Sequence, residues 1–148
     1  MDELDRLILG ALEQNARLTY SDIGRRVGLA ASSVHDRVRK LEKNGAIRGY
    51  RAEIDFDKVD LPITAFVSLA LRPTSPVDIP AKISEFDLVE SCYSVAGDNS
   101  YALIVRAPST RALEELLDAL RAKLEVVTKS TIVLSTPFER RPRLSPPH

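Results

Sequence analysis

The feature that most limits what this chain can become is a change of apolar period partway along it. Up to Lys43 the apolar residues recur three or four apart, and from Ile63 onward they recur every second residue. The first period belongs to a helix and the second to a strand. A chain of 148 residues built this way holds a helical part and a sheet-containing part, each with its own core, and the stretch "FDKVDLP" between them reads as a linker.

The first part reads as three helices. Asp2 can cap the first, in which Leu4, Ile8, Ala11 and Leu12 form an apolar stripe. In "TYSDIGRRVG", Thr19 stands three residues before Asp22, as in a capping box, and Gly28 closes the helix. A third helix over 31–43 places Val34, Val38 and Leu41 on one side. Three short helices with a Gly-containing turn between the last two predict a helix-turn-helix. "AIRGYRAEID" then alternates and is expected as a short strand or ribbon, giving a winged-helix-like unit.

The second part reads strand, helix, strand, strand, helix, strand. The strands are "ITAFVSLAL", "VESCYSVA", "YALIVRA" and "KSTIVLST", with "GDNS" as the turn between the middle pair. Ile79, Ile83 and Phe86 mark one helix; Leu113, Leu116, Leu117, Leu120 and Leu124 mark the other. This order is the split βαβ, ferredoxin-like plan βαββαβ, so the chain is expected as α+β. The expected boundaries are a helix-turn-helix domain over 1–52, a linker over 53–62, a ferredoxin-like domain over 63–138 and a mobile tail over 139–148. Two helices cover only one sheet face, yet Phe66, Ala70, Ala102 and Ile104 add apolar residues to the other. A singly covered antiparallel sheet is ordinarily polar on its open side. The pattern therefore predicts a partner sheet, and with it a homodimer or larger assembly.

Charge distribution narrows the function. The formal net charge is zero. Between Ile23 and Arg51, however, there are eight Lys and Arg residues against only Asp36 and Glu42, so the remainder of the chain is acidic. That asymmetry is expected where one region meets phosphates and another does not. The longest apolar runs are about half the length of a membrane-spanning helix, and "MDELDR" lacks the layout of a secretory signal, so no membrane is expected and the cytoplasm is. One cysteine, Cys92, is expected to be packed rather than reactive, and no Cys/His cluster has metal-ligand spacing. Enzymatic readings fail on the residues available. The only histidines are His35 and His148, and no Gly-rich phosphate loop is present.

The segments "LDRLILGALEQNAR", "VGLAASSVHDRVRKLEKNGAIRGYRAEID" and "VESCYSVAGDNSYALIVRA", in that order and spacing, resemble the leucine-responsive and asparagine-responsive (Lrp/AsnC, feast/famine) transcription regulators. The resemblance covers nearly the whole chain. It implies an N-terminal helix-turn-helix that binds double-stranded DNA and a ferredoxin-like domain that dimerises, often assembling to octamers, and senses an amino acid or related metabolite. It implies no cofactor. Two positions depart from the family pattern. Ala30 stands where Ser or Thr usually opens the recognition helix, so Ser32 or Ser33 is expected to cap it a turn later. Ser100 stands where a second acidic residue is commoner.

With Val34, Val38 and Leu41 inward, Ser32, Ser33, His35 and Asp36 become the candidates for reading base edges. Arg39, Lys40 and Lys43 are the candidates for phosphate contacts, flanked by Arg25, Arg26 and Arg48. Arg37 has two readings: a DNA contact, or a structural partner of nearby acids such as Asp36 or Glu42. The expected effector set is Gly97, Asp98, Asn99, Ser100 and Tyr101, with Thr131, Ser135 and Thr136 as hydroxyl donors. Its rival is an ordinary β-turn, which uses the same residue types. For the protein as a whole, the alternative to a regulator is an architectural protein that wraps DNA with little sequence preference.

Overall fold

The computed structural model describes residues 1–144 and divides into two compact units, Ile54–Thr136 and the remainder. In the first unit, α1 (Glu3–Gln14), α2 (Tyr20–Val27) and α3 (Ala31–Lys43) enclose a core of Ile8, Ala11, Ile23, Val34, Val38 and Leu41. Two capping boxes start the helices: Asp2 with Asp5 on α1, and Thr19 with Asp22 on α2. Gly28, at φ 73°, ends α2 in the left-handed conformation that glycine adopts without steric cost.

The turn into α3 depends on a second glycine. A Cβ on Gly24 would lie 2.4 Å from the Leu29 carbonyl oxygen, so only glycine lets the chain fold back this closely. Leu29 N–H donates to the Gly24 carbonyl at 2.9 Å in the same turn. α3 begins at Ala31 with Ala30 as its N-cap and no side-chain cap hydrogen bond. The expected start a turn later, capped by Ser32 or Ser33, is therefore not what forms. Burial of Val34 outweighs the missing cap, which costs about 1 kcal/mol.

Arg37 makes a structural pairing, though not with the acids expected. Its Nη1 donates to Asp2 Oδ2 and Asp5 Oδ1, each at 2.7 Å, so it clamps α3 to the start of α1 rather than pairing with Asp36 or Glu42. The partners lie 35 and 32 positions away.

Residues 46–53 form no strand ladder, contrary to the expected ribbon, because no neighbouring strand among the described residues takes their backbone groups. The stretch expected as a linker contains a short 3₁₀ turn, Phe56–Val59, and Arg106 of the sheet sits over the Phe56 ring at 4.3 Å. The described part of the expected mobile tail is tied down. Arg143 and Leu144 N–H both donate to Glu13 Oε2 at 2.8 Å, and residues 145–148 lie outside the described residues.

The second unit runs β1 (Ile63–Ala70), α4 (Ile79–Ile83), β2 (Val89–Ser94), β3 (Tyr101–Ala107), α5 (Thr110–Leu124) and β4 (Val127–Ile132). The sheet is antiparallel in the order β2-β3-β1-β4. This is the expected ferredoxin-like arrangement. β4 starts and ends earlier than the "KSTIVLST" pattern predicts, leaving Ser135 and Thr136 beyond the strand. Ala65, Val67, Leu69, Leu103 and Val105 face the helices and join Leu113, Leu116, Leu120 and Leu124 in the core. On the other face, register places Phe66 beside Ile104 and Thr131, and Ala102 beside Tyr93. Phe66 and Tyr93 are each 53% exposed, an apolar surface without cover within one chain. Cys92, expected to be packed, is exposed on edge strand β2, and partial burial pushes its thiol up from the usual range.

Two outcomes follow for stability. Gly24→Ala should destabilise the N-terminal unit by about 1–3 kcal/mol, because a backbone oxygen cannot yield to the new methyl group. Urea unfolding should show the loss in that unit only. The carboxyls of Asp2 and Asp5 are held below their ordinary range, first by each other's backbone N–H and then by Arg37. Their contribution is fully present above the ordinary carboxylate pKa and is lost as pH falls through the lowered folded value. Thermal unfolding from pH 7 down to pH 3 should therefore show a smaller pH dependence for Arg37→Met than for the wild type.

Candidate functional site

The outward face of α3 is set by the burial of Val34, Val38 and Leu41. Ser32, Ser33, Asp36, Arg39, Lys40 and Lys43 are exposed on it, and His35 is half-buried. The cations here divide by whether an acid holds them. Arg25 is paired with Asp22, and Arg37 with Asp2 and Asp5. Arg26, Arg39, Lys40, Lys43 and Arg48 are exposed and have no ion-pair partner among the described residues. Unneutralised charge concentrated in one helical unit repels itself until an anion arrives, which is the electrostatic condition for holding a phosphate backbone. The uncapped N-terminus of α3 adds free backbone donors at the end of the helix that a groove would receive.

His35 is not a free side chain. Its ring meets the Tyr20 ring edge-on, with centroids 5.3 Å apart, and its Nδ1 lies 3.3 Å from Asp36 Oδ1. Sequence reasoning missed Tyr20; an exposed aromatic at the first position of α2 was the available signal. Tyr50 is also committed. Its hydroxyl donates to Glu42 Oε1 at 2.8 Å, and burial together with that carboxylate pushes its pKa up to about 12.

The expected effector set is scattered within one chain. Gly97 and Asp98 are exposed, while Asn99, Ser100 and Tyr101 are half-buried. Ser100 N–H donates to the Leu69 carbonyl at 2.8 Å and its own carbonyl accepts from Val95 N–H at 3.0 Å, so the turn is anchored at the end of β1. Thr131 lies opposite Phe66 on the uncovered sheet face. Ser135 and Thr136 follow Ile132, which pairs with Ala65, four residues back along β1 from Leu69. At about 3.3 Å per residue they are well over 10 Å from the turn, so a single chain does not bring the set together. Among the described residues no His/Cys/Asp/Glu group could hold a metal, and no helix is long and apolar enough to cross a membrane.

Residues 1–42 match the AsnC-type helix-turn-helix domain, and residues 64–143 match the Lrp/AsnC ligand binding domain. The chain is 44% identical over 142 residues to the HTH-type transcriptional regulator LrpA of Mycobacterium tuberculosis, covering 95% of each chain. It is 30% identical to LrpC of Bacillus subtilis, over 86% of this chain and 89% of that one. Among solved structures, it superposes on a feast or famine regulatory protein from M. tuberculosis complexed with L-methionine with a TM-score of 0.92 and 42% identity, covering 97% and 99% of the two chains. These relatives are transcriptional regulators and not enzymes. Helix-turn-helix, exposed cations and sheet domain thus form one known combination, and the chain is a DNA-binding transcriptional regulator belonging to the Lrp/AsnC family.

Proposed function

We propose that α3 reads DNA sequence through Ser32, Ser33, His35 and Asp36, while Arg26, Arg39, Lys40, Lys43 and Arg48 hold the phosphates. The observation that carries this is the sorting of cations: on α2, α3 and the turn after it, Arg26, Arg39, Lys40, Lys43 and Arg48 are exposed without an acidic partner among the described residues, while Arg25 and Arg37 are paired. Arg37, held by two acids of α1, belongs to the structural group, whereas Arg25, 79% exposed in a weak i,i+3 pair with Asp22, can give up that acid for a phosphate.

The protein acts as a homodimer formed through the uncovered sheet face, where Phe66, Ile104 and Tyr93 need a second apolar surface. Two α3 helices then address pseudo-palindromic half-sites about one helical turn apart. Further assembly to an octamer, as the family resemblance implies, is compatible with the two edge strands β2 and β4. Placement in the cytoplasm follows from the DNA target. The effector is an amino acid. Support comes from the M. tuberculosis relative complexed with L-methionine, and from a Neisseria meningitidis regulator in complex with L-Met that is 29% identical to this chain. Because Gly97–Tyr101 and Ser135–Thr136 do not meet within one chain, its site is completed between copies.

Binding to DNA from upstream of the protein's own gene tests the reading, with random DNA as competitor and with and without L-methionine. The expected preference over random DNA is about a thousandfold or more, altered by the amino acid. A ratio near one would favour an architectural protein instead. Arg39→Ala should weaken binding to every sequence and reduce the slope of log affinity against log salt by about one. Arg37→Ala should leave that slope unchanged.

A further inference from the structure

Beside the Ser32 and Ser33 hydroxyls and the free backbone N–H groups of its first turn, the head of α3 carries two side chains that can accept hydrogen bonds. Asp36 is 82% exposed on the outer face, and a carboxylate only accepts hydrogen bonds. Toward a polyanion such a group weakens affinity, so its place on the reading face makes sense as discrimination: it penalises any base edge that cannot donate to it. His35 adds a second acceptor. The hydrogen bond between its Nδ1 and Asp36 requires Nδ1 to carry the proton, since Asp36 has none to give. With the Nδ1 proton engaged by Asp36, Nε2 is the ring nitrogen left to accept, and the Tyr20 ring limits how far the imidazole can rotate away. Arg37, the first arginine along α3, is held by Asp2 and Asp5, and Arg39, one turn beyond His35 and Asp36, is assigned above to phosphate, so neither is the forked donor that would read guanine at the positions the pair faces.

We infer that the His35–Asp36 pair selects base edges that donate in the major groove, cytosine through N4 and adenine through N6, and rejects guanine at the positions it faces. In the major groove cytosine N4 and adenine N6 are the donors, while guanine offers only the acceptors N7 and O6. Asp36 takes cytosine, the pairing its geometry favours, and His35 takes either donor base. This rests on the reading of α3 as the recognition helix and specifies which sites that helix prefers.

Selection from a DNA pool randomised across both half-sites, sequenced after binding at pH 8, tests the pair in the full-length wild type and in Asp36→Asn and His35→Ala. The wild type should enrich cytosine or adenine on one strand at two neighbouring positions in each half-site and deplete guanine there. Asp36→Asn should shift one of those positions from cytosine toward adenine by about tenfold, since an amide both donates and accepts. The remaining positions should stay as they were. His35→Ala should flatten the neighbouring position alone. Asp36 has His35 as its side-chain partner and is otherwise exposed, so Asp36→Asn leaves the core untouched. Guanine enrichment at those positions, or profiles unchanged by both substitutions, would overturn the acceptor code while leaving α3 a recognition helix. A wild-type pool with no enrichment anywhere would overturn the recognition reading and the code with it.

Discussion

Everything the N-terminal unit presents to its surroundings depends on three apolar side chains of α3 having no other place to go. Val34 and Val38 are fully buried and Leu41 nearly so. At about 1.5–3 kcal/mol each, turning them outward would cost more than any surface interaction of the helix returns. Their burial fixes the rotation of α3. That rotation in turn decides that Asp36 and Arg39 face outward while Arg37 reaches the start of α1. The same arrangement needs α2 and α3 to meet at a sharp turn, which Gly24 permits by letting the Leu29 carbonyl approach where a side chain would stand. Function on this unit is what remains after packing and local ion pairs have taken their share of the polar side chains.

The C-terminal unit meets a different constraint. Two helices can cover one face of a four-stranded sheet, and α4 and α5 cover the face carrying Val67, Leu69, Leu103 and Val105. Phe66 and Tyr93 on the opposite face are left for another surface. The effector candidates divide in the same way. The turn at Gly97–Tyr101 is anchored to the end of β1, whereas Ser135 and Thr136 lie past the far end of the β1–β4 pairing. On the function proposed above, assembly and ligand sensing would both use a second copy, which is how one small domain can couple them.

Features of short sequence range were legible from the residues alone. The stripes of α1, α3 and α5, the Asp2 cap, the capping box at Thr19, the Gly28 stop and the order of the sheet elements all rest on contacts a few positions apart or on alternation within one strand. What was not legible depends on partners distant in sequence. Nothing near Arg37 announces that its acids are Asp2 and Asp5. The alternation in 46–53 predicts a ribbon, but a strand exists only where another strand takes its hydrogen bonds. The Ser and Thr pattern of 129–136 continues past the point where β1 begins, so it overran β4. At the candidate site, residue types marked the outer face of α3, but the pairing of Arg37 with α1 and the backing of His35 by Tyr20 required the packing.

The claim that core burial alone orients α3 toward DNA is tested most directly by photo-crosslinking from neighbouring positions on that helix. With Cys92→Ser as background, a crosslinker attached through Asp36→Cys, Arg37→Cys or Arg39→Cys reports which side meets a bound duplex. The account predicts crosslinks to DNA from positions 36 and 39 and none from 37. Crosslinks from 37 in place of 36 and 39 would contradict it, because the helix would then be presenting DNA with the side that its core residues and the acids of α1 are meant to hold.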